Sequence, residues 1–430
     1  MASTSTLVRR LIFGMGAYSY AQVVTVATQL LSLPLFLSIW DVATYGDWLI
    51  ISAIPSYLSL ADAGITTAAA NRMIGLFEKK EYENANIVFQ SAVAFLSTVS
   101  AVAMGVATLA IWMTPTGWLQ IESWQPVLLV LIFSVLLSLF CSLAESIYKA
   151  THGYATGTYM VTSGRLVEWI GGIVGLIAFR SYLAVAIAAL AARAIYTLWM
   201  LWQSQRRTPH VNWGVSKAQW QVIKSTSKPG LLFLIISMTN ALSLQGFTLL
   251  VATLLGPVAT VTFNAYRTIA RVVTQVAGAL SNPLWPELAA LHGRGDFDRF
   301  RRVYGRATAW GLAIAGLGAF SVFLISPFTL ELWAKGKIAF DSLLMALFMV
   351  YAAMAAAWQI PRVALLSTDR HGGLAWKGLL ISAIALVAAA QFTKIAGLYG
   401  AVNAMILGEL LMWVICLFEV RRLLKFDVTT

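Results

Sequence analysis

Long apolar runs dominate this chain. Residues 11–39, 87–113, 127–147 and 230–255 are four such stretches, almost free of charge. A hydrophobic run of about 18 or more residues is long enough to cross a ~30 Å hydrocarbon core as a helix. Hydrocarbon offers no partner to a free N–H or C=O, so these runs read as helices. A membrane barrel would show alternating segments of about ten residues, and none is visible. Over all 430 residues the chain is 59% hydrophobic and 11% charged, about half the charged fraction of a soluble domain. The expected fold class is all-α integral membrane.

The spacing predicts twelve transmembrane helices, at 11–39, 45–75, 86–114, 124–151, 156–179, 181–203, 229–255, 258–291, 301–327, 340–366, 374–393 and 397–420. Two joins are very tight, at Arg180-Ser181 and at Gly256-Pro257, and glycine with proline favours a break at the second. The cations test the layout. With both termini cytoplasmic, the outer connectors hold only Arg180, Lys335, Lys337 and Lys394. Arg9, Arg10, Lys79, Lys80, Arg206, Arg207, Arg294, Arg299 and most others fall inside, which is the positive-inside pattern. A missed span would reverse part of it. Orientation therefore accounts for the net charge of +12, and nucleic acid is not an expected partner.

The layout divides into an N-terminal six-helix bundle (1–203), a cytoplasmic linker (204–228) and a C-terminal six-helix bundle (229–430). In the linker, Trp213, Lys217, Trp220, Ile223 and Lys224 suit an amphipathic helix on the membrane face; a plain linker is the alternative. Cys141 and Cys416 lie in apolar blocks and read as small core residues. The four histidines share no metal-ligand spacing, so no metal and no cofactor is expected. The first apolar block is too long for a signal peptide and should remain as a span.

The halves look related. Val42-Ala43-Thr44 and Val258-Ala259-Thr260 each follow an apolar span. Further on, Glu81-Tyr82 matches Asp296-Phe297, each at the entry to the next span. Six spans separate the copies, so both have the same orientation: two parallel bundles related by an axis along the membrane normal. Such repeats are typical of transporters, with the cargo path near the repeat interface.

Polar residues within spans are costly and mark pathways or pairing. Span 8 carries Asn264, Arg267, Arg271, Gln275, Gly278 and Asn282 on one face. At ~1.5 Å per residue, Arg267 and Arg271 lie about 14 and 20 Å from its outer end. Guanidiniums there should line a wet cavity and meet an anion, since the planar fork suits phosphate; the alternative is structural pairing with Asp62 or Glu409. Gln22 and Gln29 on span 1 and Asn240 on span 7 complete a candidate cargo-binding set, with helix–helix hydrogen bonding as the competing explanation. Asp62, within span 2, is a candidate for ion coupling, because a buried carboxylate can take up a proton; it could equally position the helix. Arg165, Glu168 and Arg193 suit a structural ion-pair cluster. No nucleophile–base set, Gly-rich phosphate loop or ATP-binding signature is present, so an enzyme is not expected.

The segments Leu33-Pro34-Leu35-Phe36, Thr44-Tyr45-Gly46-Asp47-Trp48 and Leu60-Ala61-Asp62-Ala63-Gly64-Ile65, ending at Asn71-Arg72, resemble the first two helices of bacterial lipid-linked oligosaccharide flippases. These are the O-antigen and polysaccharide exporters of the multidrug/oligosaccharidyl-lipid/polysaccharide (MOP) superfamily. Leu255-Gly256-Pro257, Tyr266-Arg267, Asn282-Pro283-Leu284-Trp285-Pro286-Glu287 and Gly295-Asp296-Phe297 resemble the seventh and eighth. The resemblance implies a V-shaped, MATE-like pair of six-helix lobes in the bacterial inner membrane. It implies alternating access for an undecaprenyl-diphosphate-linked glycan, with Arg267 and Arg271 meeting diphosphate or acidic sugar. The implied partners are that lipid-linked oligosaccharide, the bilayer and other polysaccharide-assembly membrane proteins. Three alternatives have distinguishing marks. A cation-coupled multidrug exporter should have a cavity that favours cations. A major-facilitator transporter should carry a Gly-Asp-Gly-Arg loop, and a membrane polymerase a large outer loop.

Overall fold

The computed structural model describes residues 4–62, 64–115, 121, 124–281, 283–368 and 371–426; Asn282, from the span 8 face, lies outside them. Among these residues every regular element is a helix: α1 (Thr4–Ile39), α2 (Val42–Ser56), α3 (Ile65–Glu78), α4 (Tyr82–Met113), α5 (Trp124–Ala150), α6 (Tyr154–Phe179), α7 (Tyr182–Arg207), α8 (Trp220–Ala241), α9 (Phe247–Ser281), α10 (Leu284–Gly293), α11 (Phe297–Trp333), α12 (Ser342–Ala357), α13 (Gln359–Leu366) and α14 (His371–Phe426).

Ten stretches among the described residues are long and apolar enough to cross a membrane. Two of them, Phe233–Ser281 with 49 residues and Gly373–Leu424 with 52, would each measure more than about 70 Å if straight, over twice the ~30 Å core. Both fold back on themselves. In the first, Gly256 has φ 84° and ψ −177°, a conformation essentially reserved for glycine, and Pro257 follows. The fold-back brings Arg267 within hydrogen-bond reach of the Leu244 carbonyl, at 2.8 Å. In the second, the helix breaks at Ala396 and Gly397. Each long stretch therefore makes two crossings, and the total is twelve.

The chain divides into two compact units, Met1–Asp41 with Ile51–Ser237 and Val42–Ile50 with Met238–Thr430. In the first, α6 packs along α7, α5 and α1. Cys141, Ala144, Tyr148, Met160 and Met200 form a buried cluster there. In the second, α9, α11, α12 and α14 pack together, and Leu288, Phe300, Val363, Cys416 and Val420 are buried at one end.

The repeat is legible in the backbone. Lys80 and Gly295 both have positive φ, 59° and 71°. The residues that follow, Glu81 (φ −85°, ψ 63°) and Asp296 (φ −84°, ψ 68°), cap α4 and α11 with nearly identical geometry. Glu81 N–H donates to Leu76 O, and Asp296 N–H to Leu291 O. Both elbows thus end one helix with the same reversal of the last turn.

Two expectations need correction. Span 2 is not one helix: α2 gives way to a 3₁₀ stretch over Tyr57–Asp62, and α3 starts after Gly64. Gly64 has φ 70°, and a Cβ there would lie 2.2 Å from the Gly230 carbonyl oxygen. Positive φ and close backbone approach together require glycine. The segment 204–228 is not one amphipathic helix either. α7 runs on to Arg207, residues 208–219 are non-helical, and α8 starts at Trp220. The non-helical part is strapped to the start of α4. Asn212 N–H donates to Asn86 Oδ1 (3.0 Å), Lys217 N–H to Gln90 Oε1 (2.7 Å) and Gln219 N–H to Ser91 Oγ (3.0 Å). Trp213 packs edge-on to Phe89. Side-chain amide and hydroxyl oxygens replace the helical hydrogen bonds that this backbone gives up.

Candidate functional site

Two interruptions of regular helix meet at one cavity in the second unit. Between α8 and α9, Leu242–Gly246 forms a π-helical turn. Between α12 and α13, the helix breaks at Trp358. Pro361 has no N–H to give the Ala357 carbonyl, and its ring disfavours continuous helix just ahead of it. Irregular turns of this kind recur at functional sites and in the binding regions of transporters.

The cavity has a volume of about 290 Å³, and Asn240, Ser243, Arg271, Tyr351, Trp358 and Glu409 are among the residues that line it. Counted along the helices at ~1.5 Å per residue, Arg271 and Asn240 lie about 21 and 24 Å from the turn at Gly256-Pro257, and Glu409 about 18 Å from Gly397. All three sit beyond the middle of a ~30 Å core. Trp358 Nε1 donates to Glu409 Oε2 at 2.7 Å, and the Arg362 guanidinium lies 5.8 Å from the Trp358 ring centroid. Ser243 and Ser382 hydroxyls are 3.1 Å apart, tying the π turn to α14.

The two span 8 arginines differ in role. Arg267 is buried and does not reach the cavity. Its Nη1 donates to Leu244 O and its Nη2 to Thr248 Oγ1, both at 2.8 Å; Nη2 also donates to Asn264 Oδ1. Its guanidinium lies 5.0 Å from the Phe263 ring centroid. Neither the expected cavity position nor the alternative pairing with Asp62 or Glu409 is seen for Arg267: its acceptors are neutral. The Leu244 carbonyl, within the π turn, accepts from Arg267 and from the Thr248 hydroxyl. Arg271, one helical turn further, lines the cavity. Its guanidinium has no hydrogen bond or ion pair among the described residues. Glu409 lines the same cavity yet forms no salt bridge with it.

The remaining candidates scatter. Asn264 serves Arg267 and also donates to Thr260 O. Gln275 is half-buried on the same helix. Asn240 joins the cavity, while Gln22 and Gln29 belong to the other unit. Asp62 Oδ1 accepts from the N–H (2.9 Å) and hydroxyl (2.5 Å) of Thr66, so it holds the start of α3, the structural alternative foreseen for it. Glu168 pairs with Arg193 and accepts from Ser134 Oγ at 2.6 Å. Arg165 is outside this cluster, against expectation: the Glu168 carboxylate is turned toward α5 and α7, and Arg165 is exposed. Tyr351 and Trp358 were not foreseen as cavity residues. Glu409 had been considered only as a pairing partner, although it is a carboxylate near the middle of its span.

Solved structures of several membrane transporters share this fold. One is an inward-facing multidrug resistance MATE family transporter of the MOP superfamily, with TM-score 0.74 and 13% identity, covering 95% of this chain and 96% of that one. Another is a MOP superfamily transporter from Pyrococcus furiosus, described as having a binding pocket of reverse polarity that suggests a different function (TM-score 0.67, 13% identity, 98% and 96% covered). The third is a MATE protein in complex with MaD3S (TM-score 0.65, 14% identity, 98% and 96% covered). At these identities the likeness establishes the fold. A sequence search of curated proteins gives no match. The family model described as "Polysaccharide biosynthesis protein" matches residues 57–331, more than half of the chain. That match and the MOP fold bear out the resemblance drawn from the span 1–2 and span 7–8 motifs. The chain therefore belongs to the polysaccharide biosynthesis protein family and is a multi-pass membrane protein with the MOP transporter fold.

Proposed function

We propose that this protein is a flippase that moves an undecaprenyl-diphosphate-linked oligosaccharide, an O-antigen or other polysaccharide repeat unit, across the bacterial inner membrane by alternating access. The observation that carries the reading is Arg271: a guanidinium without a hydrogen bond or ion pair among the described residues, deep in a membrane-spanning unit, facing a cavity lined by hydroxyl, amide, aromatic and carboxyl groups. Bare charge at such depth is costly unless it serves a polar cargo, and the family match supplies a polysaccharide context. A multidrug exporter of the same fold is the alternative, and the MATE neighbours speak for the fold it shares. The family match favours the glycan reading.

The test is deletion of the gene, followed by analysis of lipid-linked glycan on the inner leaflet and of glycan at the surface. The expected result is accumulation inside and loss outside. Both should be restored by the wild-type gene and not by Arg271→Ala at equal protein level. Normal surface glycan with Arg271→Ala would remove this residue from the transport path.

A further inference from the structure

The sixth crossing of each copy carries an exposed apolar stripe, and both stripes end in the same pair of residue types. In the first unit Leu198, Trp202 and Arg206 follow at four-residue steps on α7; in the second, Val414, Phe418 and Arg422 do so on α14. All six are exposed. The Arg206 guanidinium lies 3.9 Å from the Trp202 ring centroid, and that of Arg422 lies 4.8 Å from the Phe418 centroid. The two aromatic residues are 216 positions apart, and so are the two arginines; Val42 and Val258 of the repeat have the same offset. Neither guanidinium has a hydrogen bond or ion pair among the described residues. Each has a second exposed arginine next to it in the chain, Arg207 or Arg421. The carboxylate nearest in sequence to Arg422, Glu419, is taken by Lys377.

The depth of these pairs fits a lipid headgroup. Counted at ~1.5 Å per residue from the far end of each crossing, Tyr182 or Gly397, the rings of Trp202 and Phe418 lie about 30 and 32 Å along, and Arg206 and Arg422 about 36 and 38 Å. The hydrocarbon core is ~30 Å thick. The rings therefore reach its edge, and the guanidiniums stand one helical turn beyond it, at the level of phosphates and at the expected cytoplasmic end. Leu198 and Val414, 68% and 53% exposed, offer apolar surface to acyl chains on the core side of each ring. A guanidinium over a ring uses its face, while its N–H donors lie in its own plane and stay available as a fork for phosphate oxygens. General interfacial anchoring needs only a ring and a cation somewhere at this depth. The same ring–guanidinium pair at one register in both copies, whose interiors hold Arg193 in one and Glu409 in the other, points to a shared ligand.

We propose that each pair is a site for one anionic phospholipid of the inner leaflet, with its phosphate on the guanidinium and an acyl chain along the apolar stripe. Two equivalent sites, one on each unit, suit a lipid abundant in the leaflet; a carried molecule needs a single path. The second arginine beside each site favours a headgroup of net negative charge over a zwitterionic one, whose cationic end it repels. The proposal holds whichever cargo the protein moves.

The experiment is native mass spectrometry of the full-length protein released from detergent, titrated with phosphatidylglycerol or phosphatidylcholine of matched acyl chains. Phosphatidylglycerol should give two retained adducts and bind each site about fivefold or more tighter than phosphatidylcholine. Arg206→Gln and Arg422→Gln should each remove one adduct, and the double variant both. Arg294→Gln with Arg299→Gln takes the same charge from the elbow before α11 and should leave both adducts in place. An unchanged unfolding midpoint in lipid-free detergent will show that the variants are folded. Where the glutamine variants do not fold, Arg206→Lys with Arg422→Lys tests the fork: fewer retained adducts are expected, and an unchanged number overturns the proposal. Equal binding of the two lipids, or an equal loss in the elbow variant, would reduce the pairs to general interfacial anchors and overturn it. Displacement of phosphatidylglycerol from both sites by undecaprenyl diphosphate would overturn it too, since the occupant would then be the cargo.

Discussion

Replacing Arg267 by methionine separates two arginines that look alike in the sequence. Methionine keeps much of the volume and removes the guanidinium. Three hydrogen bonds disappear, to Leu244 O, Thr248 Oγ1 and Asn264 Oδ1. A neutral side-chain hydrogen bond within a membrane averages about 0.6 kcal/mol, and a charge-assisted one is roughly twice as strong. Three of them give about 3–4 kcal/mol. The Leu244 carbonyl retains the Thr248 hydroxyl, at 3.0 Å, but loses its tie to the Arg267 side of the fold-back, so the π turn is the part left loose. Equilibrium unfolding in mixed micelles should show the loss directly, together with lower steady-state protein. Arg271→Gln, one turn away, removes no hydrogen bond among the described residues and should change stability by less than about 0.5 kcal/mol while stopping transport. Arg267→Lys should fall between, because an ammonium cannot reproduce the planar fork. An Arg267→Met protein as stable as wild type would refute the reasoning, since the guanidinium would then not be what holds the fold-back.

Other substitutions test other contacts. Glu168→Gln should destabilise the first unit by about 3–5 kcal/mol, because it strands the buried Arg193, and Arg193→Met by less, because Glu168 is partly exposed; the double variant should recover part of the larger loss, and strict additivity in the cycle would argue against the pair. Gly400→Ala would put a Cβ 1.9 Å from the Phe392 carbonyl oxygen, so the reversal at Ala396-Gly397 should not close; native-like levels and protease resistance would contradict this. Asp341, at the N-cap of α12, is held below the usual carboxylate range by the Tyr399 hydroxyl, then by the Leu344 N–H. A lowered folded pKa adds stability above the unfolded value, about 3.9, and loses it as pH falls through the folded value. Asp341→Asn should therefore flatten the acid side of a stability–pH curve below about pH 4, and an unchanged curve would exclude the contribution.

Most of the fold was legible because hydrophobic length is a coarse and robust signal. Twelve crossings followed from run lengths and from the side on which cations fall. The joint at Gly256-Pro257 announced itself through two residues that cannot continue a helix. The candidate site was less legible, for a physical reason. Arg267 and Arg271 share a helix face, and helical spacing alone cannot say which one meets backbone and which meets open space. That depends on the π turn at Leu242–Gly246, whose sequence carries no distinctive marker. Asp62 could be read as a proton carrier or as a helix anchor, and the contacts to Thr66 that support the second reading are visible only once the chain is folded. Trp358 lines the cavity because Pro361 breaks the helix behind it, a three-residue relation easily passed over within a uniformly apolar span.

The matched elbows at Glu81 and Asp296 carry an evolutionary corollary. A duplicated scaffold kept its joints while its interior chemistry drifted apart. Midway along the sixth crossing of each copy stands one ionisable residue, thirteen residues past Arg180 in one case and twelve past Gly397 in the other. In the first copy that residue is Arg193, neutralised at home by Glu168. In the second it is Glu409, met among the described residues by an indole N–H. Ancestral symmetry thus supplied two equivalent posts, of which one is closed by a partner in its own unit and the other borders a cavity.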